Sequence, residues 1–280
     1  MVKRRTIIVS LLVLMALTLT GCSTANTTIT SATTFSEMFN EGFFSGLITY
    51  PIAKVLNFLE PNVGIALAIA IVTIAVNAIV LAFTFKSNVQ MQRMQELQPE
   101  MARIQAKYEG RTDDMSKQRM AAEMQQLYSK YDINPIGSLI TTFIQLPILL
   151  GMYNAVQRSQ AVKEAVFLGS TLSTAPKDAF LKLDFVCIVI YVLMIVFQLL
   201  SLKAPQWIAN YRGKKEADKH HKTYKKPADQ NIFMSYGMVL VIGFAMLTWP
   251  TALSLYYLIY SLINIIKTLV IDKLTHKEEA

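Results

Sequence analysis

Five long apolar runs, at 65–85, 136–156, 183–202, 232–247 and 252–271, constrain this chain more than any other feature. A bilayer core offers backbone N–H and C=O groups no partners, so a span must satisfy them internally, and a helix does so in about 20 residues. Each run is near that length, and the fourth is the shortest. Trp249-Pro250 closes the fourth run: the Trp suits a membrane interface, and the pair turns the chain directly into the fifth. Glu60-Pro61-Asn62 predicts a helix start just before the first run. Charged residues make up 16% of the 280, below the roughly one quarter of soluble domains. The clustering of the 53% that are hydrophobic excludes one or two soluble domains. The expectation is an all-α membrane protein with five transmembrane helices and a cytoplasmic helical hairpin.

The first residues carry a separate signal. Lys3, Arg4 and Arg5 precede an apolar stretch from Ile7 to Leu17, the charge-then-apolar order of a secretory leader. Leu19-Thr20-Gly21-Cys22 follows, and then polar Ser, Thr and Asn residues. This segment resembles a bacterial lipoprotein box, which implies a diacylglycerol or further acyl lipid on the Cys22 thiol and cleavage before it. The alternative, an uncleaved first transmembrane helix, is short for the bilayer core. The expected divisions are a signal peptide at 1–21, a lipid-anchored extracellular segment at 22–62, a five-span core at 63–271 and a short cytoplasmic tail at 272–280. Cys22 and Cys187 are the two cysteines, too few for a disulfide framework, and Cys187 lies within an apolar run.

Orientation follows from Lys and Arg. Segments 86–135 and 203–230 hold eight each, whereas 23–62 and 157–182 together hold five. The two basic segments therefore belong in the cytoplasm, with the lipid anchor outside and the C-terminus inside. Topology accounts for the net charge of +8 without nucleic acid, and no DNA partner is expected. Segment 86–132 is polar but periodic. Met94, Leu97, Met101, Ile104 and Tyr108 step by three and four, as do Met120, Met124, Leu127 and Tyr131. Residues 109–114 supply a turn, and Pro99 interrupts the first leg. Two antiparallel amphipathic helices are expected, their seams facing each other or the membrane. Met91, Met94, Met101 and Met115 are candidate client contacts, since a flexible thioether suits a surface that accepts many apolar sequences. The plainer reading has the seam methionines pack the hairpin; Met91 and Met115 fall off the seam.

Polar residues within the runs are where function is expected, because such groups are costly in lipid and need partners. Thr73, Asn77 and Thr84 share one face of the first run. Thr141 and Gln145 share a face of the second, which Pro147 bends. Cys187, Tyr191 and Gln198 repeat that spacing in the third, and Tyr257, Tyr260, Ser261 and Asn264 form a stripe in the fifth. Either these residues hydrogen-bond between helices or their faces converge on a hydrophilic groove; four spans together favour the groove. Charged residues sit only near span ends, at Asp184 and Lys267. Ion-coupled transport and intramembrane proteolysis both need charged or nucleophilic groups inside. No enzyme, metal site or cofactor is expected.

In its motifs the chain resembles the YidC/Oxa family of membrane protein insertases in its Gram-positive lipoprotein form. The matching residues are 94–101 (Met-Gln-Glu-Leu-Gln-Pro-Glu-Met), Asn134-Pro135, 143–149 (Phe-Ile-Gln-Leu-Pro-Ile-Leu), Pro250, and 253–257 (Leu-Ser-Leu-Tyr-Tyr). The resemblance covers nearly all of the mature chain. It implies a groove open to cytoplasm and lipid, lined by Thr73, Asn77, Thr84, Gln145, Tyr191, Gln198, Tyr257 and Asn264. A nascent membrane protein would rest its polar segment there while its apolar segment enters the lipid bilayer, alone or with the Sec translocon. No nucleotide is hydrolysed; partition of apolar residues, about 0.3–0.6 kcal/mol each, drives insertion. Relatives usually carry an arginine where this chain has Asn77, a proline at Ala82 and a tryptophan at Tyr257. A polar groove with weaker preference for acidic clients is the consequence. The tail is short, so ribosome contact is expected through loop 203–230. The competing reading is a small-solute transporter or channel, which would call for pore-lining charges or repeated half-motifs.

Overall fold

The structure is a computed structural model and describes residues 27–134, 136–219 and 232–277. The leader 1–21, Cys22, and residues 220–230 of the basic loop lie outside the described residues. Its regular elements among the described residues are helices and one β-hairpin of two-residue strands, β1 (Val166–Phe167) against β2 (Ser170–Thr171). It divides into two compact units.

The first unit comprises residues 1–79, 142–196 and 242–260. It begins with α1 (Phe35–Glu41), a π-turn at Ser45–Thr49 and α2 (Tyr50–Val63). Thr34 and Glu37 form a capping box that starts α1: the Glu37 amide donates to Thr34 Oγ1, and the Thr34 amide donates to Glu37 Oε2. The sequence marks 22–62 only as a lipid-anchored segment, because short, π-turned helices give too few repeats to read. Glu60-Pro61-Asn62 does not start a helix but lies in the last turn of α2. Gly64 ends that helix at φ 77°, a conformation that favours Gly, and α3 (Ile65–Glu96) begins beyond it.

Further along are α6 (Ile136–Arg158), α7 (Gln160–Glu164), α8 (Pro176–Lys182) and α9 (Phe185–Lys219), then α10 (Ile232–Thr248) and α11 (Thr251–Lys277). The first unit takes its share of the long helices from their residues within its ranges. Its core gathers Ile29, Met38, Leu56, Ile69, Met152, Val162, Leu172, Met194, Met246 and Tyr256, all fully or nearly fully buried. Gly151 lets the π-turn approach α6, because a Cβ there would collide with Ile48. The loop before α8 caps α11: Thr251 and Ala252 amides donate to the carbonyls of Thr174 and Leu172, each at 2.9 Å.

The second unit comprises residues 80–141, 197–241 and 261–280. α3 does not stop at the expected end of the first span but runs on to Glu96. After Leu97 the chain restarts as α4 (Gln98–Lys107), with Pro99 in its first turn where a missing N–H costs nothing. Gly110, at φ 79°, turns the chain into α5 (Asp114–Lys130). The hairpin core is Leu97, Leu127 and Ile133, with Met94, Met101, Ile104 and Tyr128 packed against it. Tyr131, expected in the seam, is exposed and donates to Glu100 instead, and Tyr128 takes the inward place. The basic loop starting at 203 continues α9 as helix to Lys219.

Among the described residues, three helices are long and apolar enough to cross a bilayer: Ile65–Glu96, Phe185–Lys215 and Thr251–Thr275. Val239–Thr248 is a shorter apolar stretch, and α6 adds a 23-residue apolar helix with Pro147 inside. Only 22–39% of the three apolar windows is buried, so most of their surface is left for lipid. This is an all-α membrane protein.

Candidate functional site

In the first unit the polar residues of the apolar helices divide into two kinds. Thr73 is fully buried and donates to its own helix at Ile69 O, 2.6 Å away. Asn77, half-buried, donates to Thr73 O at 2.8 Å. Both use the backbone carbonyl one turn back, the ready partner for a short polar side chain in lipid. Gln145 and Tyr191 instead reach across helices. Gln145 Nε2 donates to Tyr256 Oη at 3.4 Å, and Tyr191 Oη donates to Gly243 O at 3.1 Å. A Cβ at Gly243 would meet Ile195 Cδ1 at 2.8 Å but Tyr191 Oη only at 3.9 Å, so the missing side chain makes room for Ile195.

Tyr256 is the residue the sequence missed. Tyr257, 5% exposed, was the expected groove member, but the fully buried Tyr256 meets Gln145. Tyr256, Tyr257 and Tyr260 form an aromatic cluster with ring centroids 5.3–6.2 Å apart. The doubled Tyr was visible in sequence and both rings are buried; which of them meets Gln145 depends on the helix's rotation against its neighbours. Ser254 Oγ is buried beside them in sequence without a hydrogen-bond partner.

In the second unit Thr84 Oγ1 donates to Val80 O at 2.8 Å, and Asn88 Nδ2 donates to Thr84 O at 2.9 Å. Gln198 and Asn264 join α9 to α11. Ser261 Oγ donates to Gln198 Oε1 at 2.6 Å, and Asn264 Nδ2 donates to Ser201 Oγ at 2.9 Å. Farther along α11, Asp272 accepts from the Arg212 guanidinium and from Gln92 Nε2 at 3.1 Å. Sequence reading missed Asn88, Gln92, Ser201, Arg212 and Asp272. The step of four from Thr84 to Asn88 to Gln92 was a usable signal beyond the end of the apolar run.

Of the candidate residues, then, Thr73, Asn77 and Thr84 bond within their own helix. Gln145 and Tyr191 make interhelical contacts in the first unit, and Gln198 and Asn264 in the second. The side chain of Thr141 lies outside the described set. In the hairpin, Met94 and Met101 pack against the small core, Met91 is half-buried, and Met115 is 63% exposed. Lys107 and Glu123 pair there, and Tyr108 Oη donates to Glu123 at 2.7 Å. The Lys107 and Tyr108 hydrogen bonds hold the Glu123 carboxyl below its usual range, and the same bond from Glu123 raises the Lys107 ammonium. Among the described residues no group of three or more His, Cys, Asp or Glu side chains could hold a metal ion.

Comparisons with known proteins bear on these polar helices. The chain is 31% identical over 243 residues to the membrane protein insertase YidC of Mycoplasmopsis pulmonis, covering 84% of this chain but 39% of that protein. It is 27% identical over 272 residues to membrane protein insertase YidC 2 of Listeria innocua, covering 96% and 84% of the two. It is 26% identical over 273 residues to membrane protein insertase MisCA of Bacillus subtilis, covering 97% and 92%. The family model described as 60Kd inner membrane protein matches residues 57–279, and the chain belongs to that family.

Proposed function

We propose that this protein is a membrane protein insertase and chaperone of the bacterial cell membrane. The observation that carries the reading is the set of polar, uncharged contacts on otherwise apolar helices in a chain of this family: Gln145 with Tyr256, Gln198 with Ser261, Asn264 with Ser201. Side chains that hydrogen-bond without charge can exchange partners with a passing polar segment at small cost, because each interhelical bond is worth about 0.5–2 kcal/mol. A nascent membrane protein would rest its polar segment on such contacts while its apolar segment enters lipid. The reaction is transfer rather than bond chemistry, so neither an enzyme activity nor a cofactor is needed.

The topology follows the positive-inside rule: five spans, the hairpin and the basic extension of α9 in the cytoplasm, and an N-terminus held outside by lipid on Cys22. The basic extension is suited to ribosomal phosphates, and action together with the Sec translocon is part of the same reading. A photoreactive residue at Gln145 or Asn77 should crosslink to a stalled nascent membrane protein. Crosslinks absent from both positions in a well-folded protein would overturn the insertase. Solute flux through protein-loaded liposomes would favour the small-solute channel instead.

A further inference from the structure

Two leucines of the first unit stand where a leucine is costly. Leu168 and Gly169 make the two-residue turn between β1 and β2, with φ of 50° and 87°. Positive φ at both turn residues favours Asn-Gly, and a leucine there carries strain that Asn or Gly would not. Leu183 ends α8 at φ 54°, the left-handed cap position that Gly or Asn usually fills. Both side chains are exposed, Leu168 at 76% and Leu183 at 68%. In water each would combine backbone strain with apolar exposure. An apolar medium over these turns removes the second cost and accounts for the residue type.

The neighbouring geometry says which medium that is. Ser170 Oγ donates to Asp184 Oδ1 at 2.6 Å, which holds the β-hairpin beside the start of α9. On α9, Phe185, Val189, Val192 and Val196 fall within about 60° of one another at 100° per residue. All four are exposed, whereas Cys187, Ile190 and Met194 on the opposite side are buried. The exposed strip belongs to the span-forming stretch Phe185–Lys215, so lipid covers it. It begins at Phe185, 72% exposed, just beyond Leu183, and Leu181 on the near side is 84% exposed. The apolar surface is therefore continuous from the lipid-facing side of α9 into the loop. Lys177 and Lys182 are exposed on α8, where apolar stems can lie against lipid while the ammonium groups reach headgroup phosphates.

We propose that loop 166–185 docks on the bilayer and sinks Leu168, Leu181 and Leu183 into the leaflet that adjoins the start of α9. The occupant of this surface is lipid rather than a second copy of the chain or another protein. Leu172 and Thr174 of the same loop cap α11, so the contact sets the depth at which α9 and α11 both begin.

The test uses the full chain in vesicles of phosphatidylcholine with one-third phosphatidylglycerol. A nitroxide is attached to one introduced cysteine at a time: Leu168→Cys, Leu181→Cys, Val192→Cys as the lipid reference and Lys117→Cys, in the hairpin, as the water reference. Protein without an introduced cysteine gives the background from Cys22 and the buried Cys187. Side chains sunk about 5–10 Å into the headgroup and acyl boundary exclude a polar relaxer, so labels at 168 and 181 should meet a water-soluble nickel chelate about fivefold less than the label at 117, and oxygen as freely as the label at 192. Nickel accessibility equal to that at 117 would put the loop in water and overturn the proposal. Low accessibility to both nickel and oxygen would mean protein covers the patch and overturn it too, with dipolar broadening at full labelling naming a second copy. Leu181 has no positive φ, so its label reports even if Leu168→Cys fails to fold. A further variant, Leu168→Asn, suits the turn better than leucine does. With the label at 181 it should raise nickel accessibility about threefold as the turn leaves the boundary. No change at 181 would overturn the anchoring by the turn leucine.

Discussion

The segment 27–63 of the first unit and the hairpin 97–133 of the second are both helical structures outside the expected spans, and they are built in opposite ways. The first is locked by buried polar groups. Arg158, 5% exposed, pairs with Glu41 at 2.7 Å and donates to Thr27 O at 3.0 Å. Asn57 donates to Ile29 O at 2.7 Å and accepts from Ser159 Oγ at 2.7 Å and the Ala161 amide at 3.0 Å. Ile29, fully buried, bridges Ser159 as a one-residue strand. The hairpin instead has a core cluster of three buried apolar residues and two ion pairs near its surface. Buried, multiply bonded networks specify one arrangement; a three-residue core leaves a segment free to open locally.

The contrast breaks most clearly at Arg158. Arg158→Met should strand Glu41 without its cation, costing about 2–3 kcal/mol after allowance for the partial exposure of the carboxylate. Thermal unfolding in detergent should report a fall of roughly 5–10 °C. A shift within 2 °C would mean the cap does not depend on this pair.

The hairpin should respond locally instead. Leu127→Ala removes a third of its buried core and should cost about 2 kcal/mol, at the low end for Leu because so small a core can collapse. Limited proteolysis should then cut between 97 and 133 while the protein's main melting transition stays in place. A general loss of stability would show that the hairpin is coupled to the whole.

Asn57→Leu removes one donor and one acceptor but fits an apolar neighbourhood, so about 1–2 kcal/mol is expected, read by hydrogen exchange at Ile29 and Ala161. Unchanged exchange at both amides would assign the order of this segment to packing alone.

The smallest effect concerns the Lys107–Glu123 pair. Glu123 has a lowered folded value, so its contribution is full above its ordinary value near 4.5 and is lost as pH falls through the folded one. Lys107 has a raised folded value, so its contribution is full below 10.5 and is lost as pH rises through the folded one. Spin labels at Arg103 and Gln126 should broaden in distance at both extremes and stay sharp between. Glu123→Gln should flatten that profile.

Much of this was legible beforehand because it is local. Apolar run length located the five long helices to within a few residues at most ends. The seam positions Leu97, Met101, Ile104 and Leu127 followed from helical spacing, and Pro99 marked the break before α4. Helix extensions were less visible. α3 runs to Glu96 and α9 to Lys219 because polar residues with good helix propensity continue a helix once lipid no longer demands apolar ones.

What the residues alone determined is therefore the solvent each stretch requires: lipid for the apolar runs, water for the basic segments, and a costly polar minority between them. That follows from desolvation, which each side chain carries with it wherever it is placed. Only the tertiary structure decided the partners. It joined Gln145 to Tyr256 rather than Tyr257, gave Asp272 to Arg212 and not to Lys267, and set Arg158 on Glu41 across more than a hundred residues of chain. Those pairings depend on how helices rotate and pack against one another, and a hydrogen bond forms only when that packing brings donor and acceptor within about 3 Å.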